Sequence, residues 1–124
     1  MKWMPCDFGS VNYTKSIEGS AWLYPRLRDR GYKMLFYTGD NDSLVPTQGS
    51  QQWINELGWK VTNPWIPYFY TSDEGTTSII GYTESRGNFT FATFHGSGHM
   101  APRSKSAKAS FVINNFINKG NVTS

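Results

Sequence analysis

Two histidines stand four residues apart in "HGSGHMAP", residues 95–102, and two aspartates stand two apart in "GDNDS", residues 39–43. Imidazole and carboxylate together suit metal ligation, acid–base catalysis or a purely structural loop pairing. The metal reading meets a difficulty at the glycines. Histidines at this spacing share one binding face only on a helix, and Gly96-Ser97-Gly98 is a poor helix. The aspartates open like a calcium loop, but Leu44 stands where a third oxygen ligand belongs, and no later Gly or Glu completes the pattern. No metal and no cofactor is expected.

The acid–base reading needs less. A carboxylate at one strand end would orient an imidazole on a neighbouring loop and stabilise its charged form, which is the Asp–His half of a nucleophilic triad. In α/β-hydrolases the nucleophile comes first, then the acid, then the histidine, so an Asp preceding a His suits the later part of such a chain. The nucleophile itself is missing. No Gly-x-Ser-x-Gly occurs: Ser97 is flanked directly by Gly96 and Gly98, and Ser10, Ser20, Ser43 and Ser50 also lack the spacing. On the residues alone, an incomplete triad and a structural Asp and His loop pair both remain open, with metal ligation disfavoured.

Elements able to position these groups are readable around them. "KMLFYTG", residues 33–39, is a short apolar run ending in Gly, as expected of a strand buried on both faces. The aspartates follow it directly. "TTSIIGYTE" and "NFTFATFHG" alternate around a turn at residues 86–88 and predict a hairpin whose second strand leads into the histidines. Loops at the carboxyl ends of strands are where open α/β sheets gather functional groups. Upstream, Ile17, Ala21, Tyr24 and Leu23, Leu27 predict a helix after Asn12 or Ser16, weakened at Pro25 and stopped by Gly31. Residues 47–57 read as a second helix. "NPWIPYFY", with two prolines, reads as an irregular aromatic segment. The last element, 104–119, carries Ala109, Val112, Ile113, Phe116 and Ile117 on one face, with Gly120 beyond, and predicts an amphipathic helix covering a sheet. The order of elements is α/β.

The 124 residues amount to one domain at most, or part of a larger one. Aromatic residues at 16% supply enough large apolar surface to demand a packed core or a partner, which argues against disorder. The net charge of +3 is scattered, and its densest stretch, "RLRDRGYK" at 26–33, reads as a solvated helix end rather than a nucleic-acid footprint. No apolar run reaches the roughly 18 residues of a membrane span, and "MKWMPC" lacks a signal-peptide core. Neither nucleic acid nor membrane is therefore expected as a partner. Sequons at Asn12, Asn41, Asn88 and Asn121 hint at a secretory route and a glycoprotein. Cys6 is the only cysteine, so it is either a buried free thiol or bonded to another chain.

"LFYTGDNDSLVP" followed by "HGSGHMAP" resembles the closing third of serine carboxypeptidases, and the likeness extends through "WMPC", "QQWINELGW", "GYTE" and "FATFHGSGH" to the last helix. The resemblance implies that residues 1–124 are the C-terminal portion of one α/β-hydrolase domain, with strands of a mixed sheet covered by helices and the N-terminal nucleophile half absent. It makes Asp42 the triad acid, His99 the triad base, and Asp40 a structural residue holding its loop through backbone N–H groups. Val45 and Met100 would line the pocket for the terminal residue of a peptide substrate, although plain loop packing explains them equally. Cys6 would pair with a cysteine of the N-terminal half, either in the same chain or in a disulfide-linked second chain of a cut enzyme; this chain alone would then be inactive. Localisation in a vacuole or lysosome, or secretion, is implied in the same way. Acyl transfer or lyase chemistry on the same scaffold, or a non-catalytic binding protein derived from it, are the competing expectations. Asn41, beside the acid, is not expected to carry sugar.

Overall fold

The computed structural model describes residues 13–14 and 19–123. Their centre is a four-stranded mixed sheet in the order β1-β4-β3-β2. Strand β1 (Met34–Gly39) runs parallel to β4 (Phe89–Phe94), while β3 (Thr77–Arg86) is antiparallel to both β4 and β2 (Asn63–Thr71). Every residue of β4 is buried, as befits a strand paired on both edges. Its side chains alternate between two cores. Phe89 and Phe91 join Met34 and Ile54 on one face, with Tyr24, Phe36, Trp53, Trp59 and Trp65 packed around them. Ala92 and Phe94 join Tyr68, Ile80, Ala101, Ala109 and Val112 on the other.

Helices cover both faces. Helix α1 (Leu23–Asp29) and helix α2 (Thr47–Glu56) serve the first face, where Tyr24 meets Trp53 at 4.9 Å between ring centres and Phe89 edge-on at 5.8 Å. Helix α1 is shorter than the periodicity predicts. Pro25 falls in its first turn, where the missing N–H has no intrahelical acceptor to lose, and the helix continues through it to Asp29. Residues 15–18, where an earlier start was expected, lie outside the described residues. The charged run is exposed, and the Arg28 guanidinium lies over the Trp59 ring at 4.6 Å.

On the second face a short helix α3 (Ala101–Ser104) leads into α4 (Ser106–Lys119), which stops at Gly120 in the left-handed region. Ala109, Val112 and Asn115 point inward, whereas Ile117, expected on the apolar face, is 71% exposed.

Two further expectations are corrected. "NPWIPYFY" is not irregular but forms most of β2. Its prolines are tolerated because β2 is the sheet edge, and the pairing shifts between Asn63 and Ile66, around Pro64. Strand β1, expected to be buried on both faces, is the opposite edge of the described sheet and leaves Tyr37 exposed.

What matters for the loops is the parallel pairing. Gly39 registers with Phe94, so β1 and β4 end side by side and release both chemistry-bearing loops at one end of the sheet.

Candidate active site

The two loops touch through backbone. The N–H of Asp40 donates to Phe94 O at 3.2 Å, and that of Asn41 to Ser97 O at 2.9 Å. Only glycine permits this approach at position 39. A Cβ there would lie 2.6 Å from the Ser97 carbonyl carbon and closer still to the carbonyl oxygens of Ser97 and Gly98. The aspartate loop is closed across its base by Thr38 and Thr47, whose hydroxyls are 3.0 Å apart. The histidine loop is tied to α3 by Ser97 Oγ and Ser104 Oγ at 2.7 Å.

On this frame the side chains form two Asp–His pairs. Asp42 Oδ2 lies 2.9 Å from His99 Nδ1, and its Oδ1 accepts the N–H groups of Leu44 at 2.8 Å and Val45 at 3.1 Å. Asp40 Oδ2 lies 2.7 Å from His95 Nδ1, and its Oδ1 accepts the Gly96 N–H at 2.7 Å. An ionised carboxylate only accepts, so in each pair the proton sits on Nδ1 and Nε2 is the basic nitrogen.

The two pairs differ in burial. The Asp42 side chain is 5% exposed and that of Asp40 31%, while His99 and His95 show 52% and 63%. The His99 hydrogen bond is the main influence holding the Asp42 carboxyl below its ordinary value. Desolvation opposes it, and the Val45 and Leu44 N–H groups and the charge of His99 add to the lowering. Asp42 is thus an ionised, buried carboxylate, its oxygens occupied by donors, behind a half-exposed imidazole. Such an arrangement holds the imidazole in one tautomer and one orientation.

Asp40, expected to hold its own loop through backbone N–H groups, instead accepts the Gly96 N–H of the histidine loop and makes an imidazole contact that the sequence reading did not assign. The spacings, two between the acids and four between the histidines, are visible in the sequence, but only the parallel register turns them into two pairs. Val45 and Met100 are both exposed, at 41% and 45%, next to Ser43-Leu44 and His99 respectively in the chain. Cys6 lies outside the described residues. Ser97 is buried, with its hydroxyl engaged by Ser104, so it is no candidate nucleophile. Among the described residues, no cluster of three or more His, Cys, Asp or Glu side chains is placed to hold a metal ion.

A family profile for serine carboxypeptidases matches residues 1–119. The chain belongs to the serine carboxypeptidase family. It is 37% identical over 101 residues to serine carboxypeptidase-like 13 of Arabidopsis thaliana, covering 81% of this chain and 22% of that protein. With serine carboxypeptidase-like 1 of the same plant it shares 35% over 118 residues, or 94% and 25% of the two chains. A solved structure, that of the prohormone-processing carboxypeptidase Kex1Δp from Saccharomyces cerevisiae, superposes with a TM-score of 0.67 at 22% identity, over 81% of this chain and 22% of that one. That likeness shows the fold, part of an α/β-hydrolase. The chain spans about a quarter or less of the length of these relatives.

Proposed function

We propose that the whole protein is a serine-type carboxypeptidase that releases C-terminal residues from peptides, and that this chain is its C-terminal portion, supplying Asp42 and His99 to a Ser-Asp-His triad. The observation that carries the proposal is the 2.9 Å contact between a buried, ionised Asp42 and a half-exposed His99 whose Nε2 faces away from the acid. His99 is chosen over His95 because its acid partner is buried and held by two N–H donors besides the imidazole, where charge stabilisation is strongest.

In this mechanism Nε2 takes the proton of a serine hydroxyl supplied by the rest of the protein as that oxygen attacks the scissile carbonyl. Asp42 holds Nδ1–H and stabilises the imidazolium. Nε2–H then protonates the leaving amine, and the acyl-enzyme is cleared by water activated in the same way. Exposed Val45 and Met100 are assigned to the pocket for the substrate's terminal side chain, favouring apolar residues there. Cys6 is assigned to a disulfide with the N-terminal half. An intact-mass measurement with and without reductant tests that pairing. The sequons support passage through the secretory route, to a vacuole or outside the cell, and no helix among the described residues is long and apolar enough to cross a membrane.

The test is to incubate the intact protein with a peptide bearing a free C-terminus and with its amidated twin, and to follow both by mass spectrometry. Stepwise loss of C-terminal residues from the free peptide, blocked by a serine-directed phosphonofluoridate, is expected. Absence of release, or equal cleavage of both peptides, would overturn the proposal.

A further inference from the structure

The second Asp–His pair has no place in the triad, yet it is built with comparable care. Asp40 uses both carboxylate oxygens on the histidine loop, one on Gly96 N–H and one on His95 Nδ1, each at 2.7 Å. The loop it grips needs holding. Gly96 has a φ of 65° and Gly98 follows two residues later, so the peptide between His95 and His99 has little intrinsic stiffness. Asp42 holds only the far end of that loop, through the imidazole that must also do the chemistry.

We propose that Asp40 and His95 form a positioning pair that fixes the near end of the loop and thereby sets the direction of the His99 ring. Neither residue handles the substrate. Asp40 and Asp42 leave one short segment two residues apart, and His95 and His99 leave the other four apart. The Asn41 N–H to Ser97 O bond lies between the two pairs. With the Asp40 N–H to Phe94 O bond at its base, the histidine loop is held at successive points, and loss of the Asp40 side-chain contacts leaves the Gly96–Gly98 peptide secured only through Ser97, by Asn41 N–H on its carbonyl and Ser104 on its hydroxyl. Misalignment of the base impairs the transition state, in which Nε2 must move a proton, far more than it impairs binding.

The inference rests on His99 being the triad base, and two readouts in the intact protein keep the two claims apart. The first is the downfield proton resonance of His99 Nδ1–H, identified by its loss in His99→Ala. It should broaden or vanish in Asp40→Ala and His95→Ala, and persist in His95→Asn, whose amide nitrogen takes the place of Nδ1. This readout needs no activity, so it stands whether or not the protein hydrolyses peptides. The second is peptide hydrolysis: His95→Ala should lower kcat about tenfold with KM within about threefold, and His95→Asn should restore most of the loss. His95 is largely exposed, so its variants remain folded even where Asp40→Ala does not. An unchanged His99 resonance in folded His95→Ala, or a kcat unchanged by that substitution, would overturn the positioning role.

Discussion

Replacing Gly39 by alanine tests how tightly the two loops must approach. The added methyl would sit 2.6 Å from the Ser97 carbonyl carbon, where ordinary contact begins at 3.4 Å, and against backbone oxygens that cannot rotate away. The loops must therefore part by about 1 Å, and overpacking of this kind costs about 1–3 kcal/mol of stability. The Asp42–His99 contact is 2.9 Å and spans the same gap, so it stretches beyond hydrogen-bond range. A misplacement of about 1 Å in a catalytic group lowers the rate about a hundredfold. The assay is kcat/KM for peptide hydrolysis by intact Gly39→Ala protein, with its thermal midpoint measured in parallel. Gly49→Ala, in α2 with nothing within 4 Å of the new methyl, is the control and should be neutral or slightly stabilising. A Gly39→Ala enzyme within twofold of the parent would refute the claim that loop approach aligns the pair.

Three further outcomes are expected. Arg86, buried at the end of β3, donates to Glu84 at 2.7 Å, to Ile54 O at 3.1 Å and to the Asn55 side chain, so Arg86→Ala should lower stability by about 3 kcal/mol in denaturant titration. Tyr68, whose hydroxyl donates to Thr93 O at 2.9 Å inside the core and is pushed above its ordinary range by burial, should lose about 1–2 kcal/mol on conversion to Phe. For pH, the folded-state value of Asp42 lies below its unfolded value, so its contribution to stability is full above about pH 4 and is lost as pH falls through the lower folded value. Asp42→Asn should accordingly be less stable than the parent at neutral pH, with the gap in thermal midpoint closing as the pH is lowered below about 4.

Local patterns in the sequence revealed most of the elements because each rests on short-range chemistry. The β3–β4 hairpin follows from alternation around Gly87-Asn88, and α4 from apolar spacing closed by Gly120. What was not legible depends on neighbours distant in sequence. Pro64 and Pro67 argue against a strand unless β2 is known to be an edge, and Ile117 lies on the apolar stripe of α4 but beyond the width the sheet covers. The pairing of β1 with β4 joins segments some fifty residues apart, and no local pattern announces a parallel register. That register decides the site: it turns two spaced residue pairs into two hydrogen-bonded ones. Arg86 was equally silent, since a charged residue beside a turn usually reads as solvated.

The central claim is that His99, oriented by Asp42, is the general base of a serine carboxypeptidase. Its most direct test is kcat/KM for release of a C-terminal residue by the intact protein, compared between the parent and His99→Ala at matched fold and concentration. Loss of the triad base should lower the rate about a thousandfold or more, well beyond the effect of His95→Ala. A His99→Ala protein retaining activity within tenfold of the parent would contradict the account.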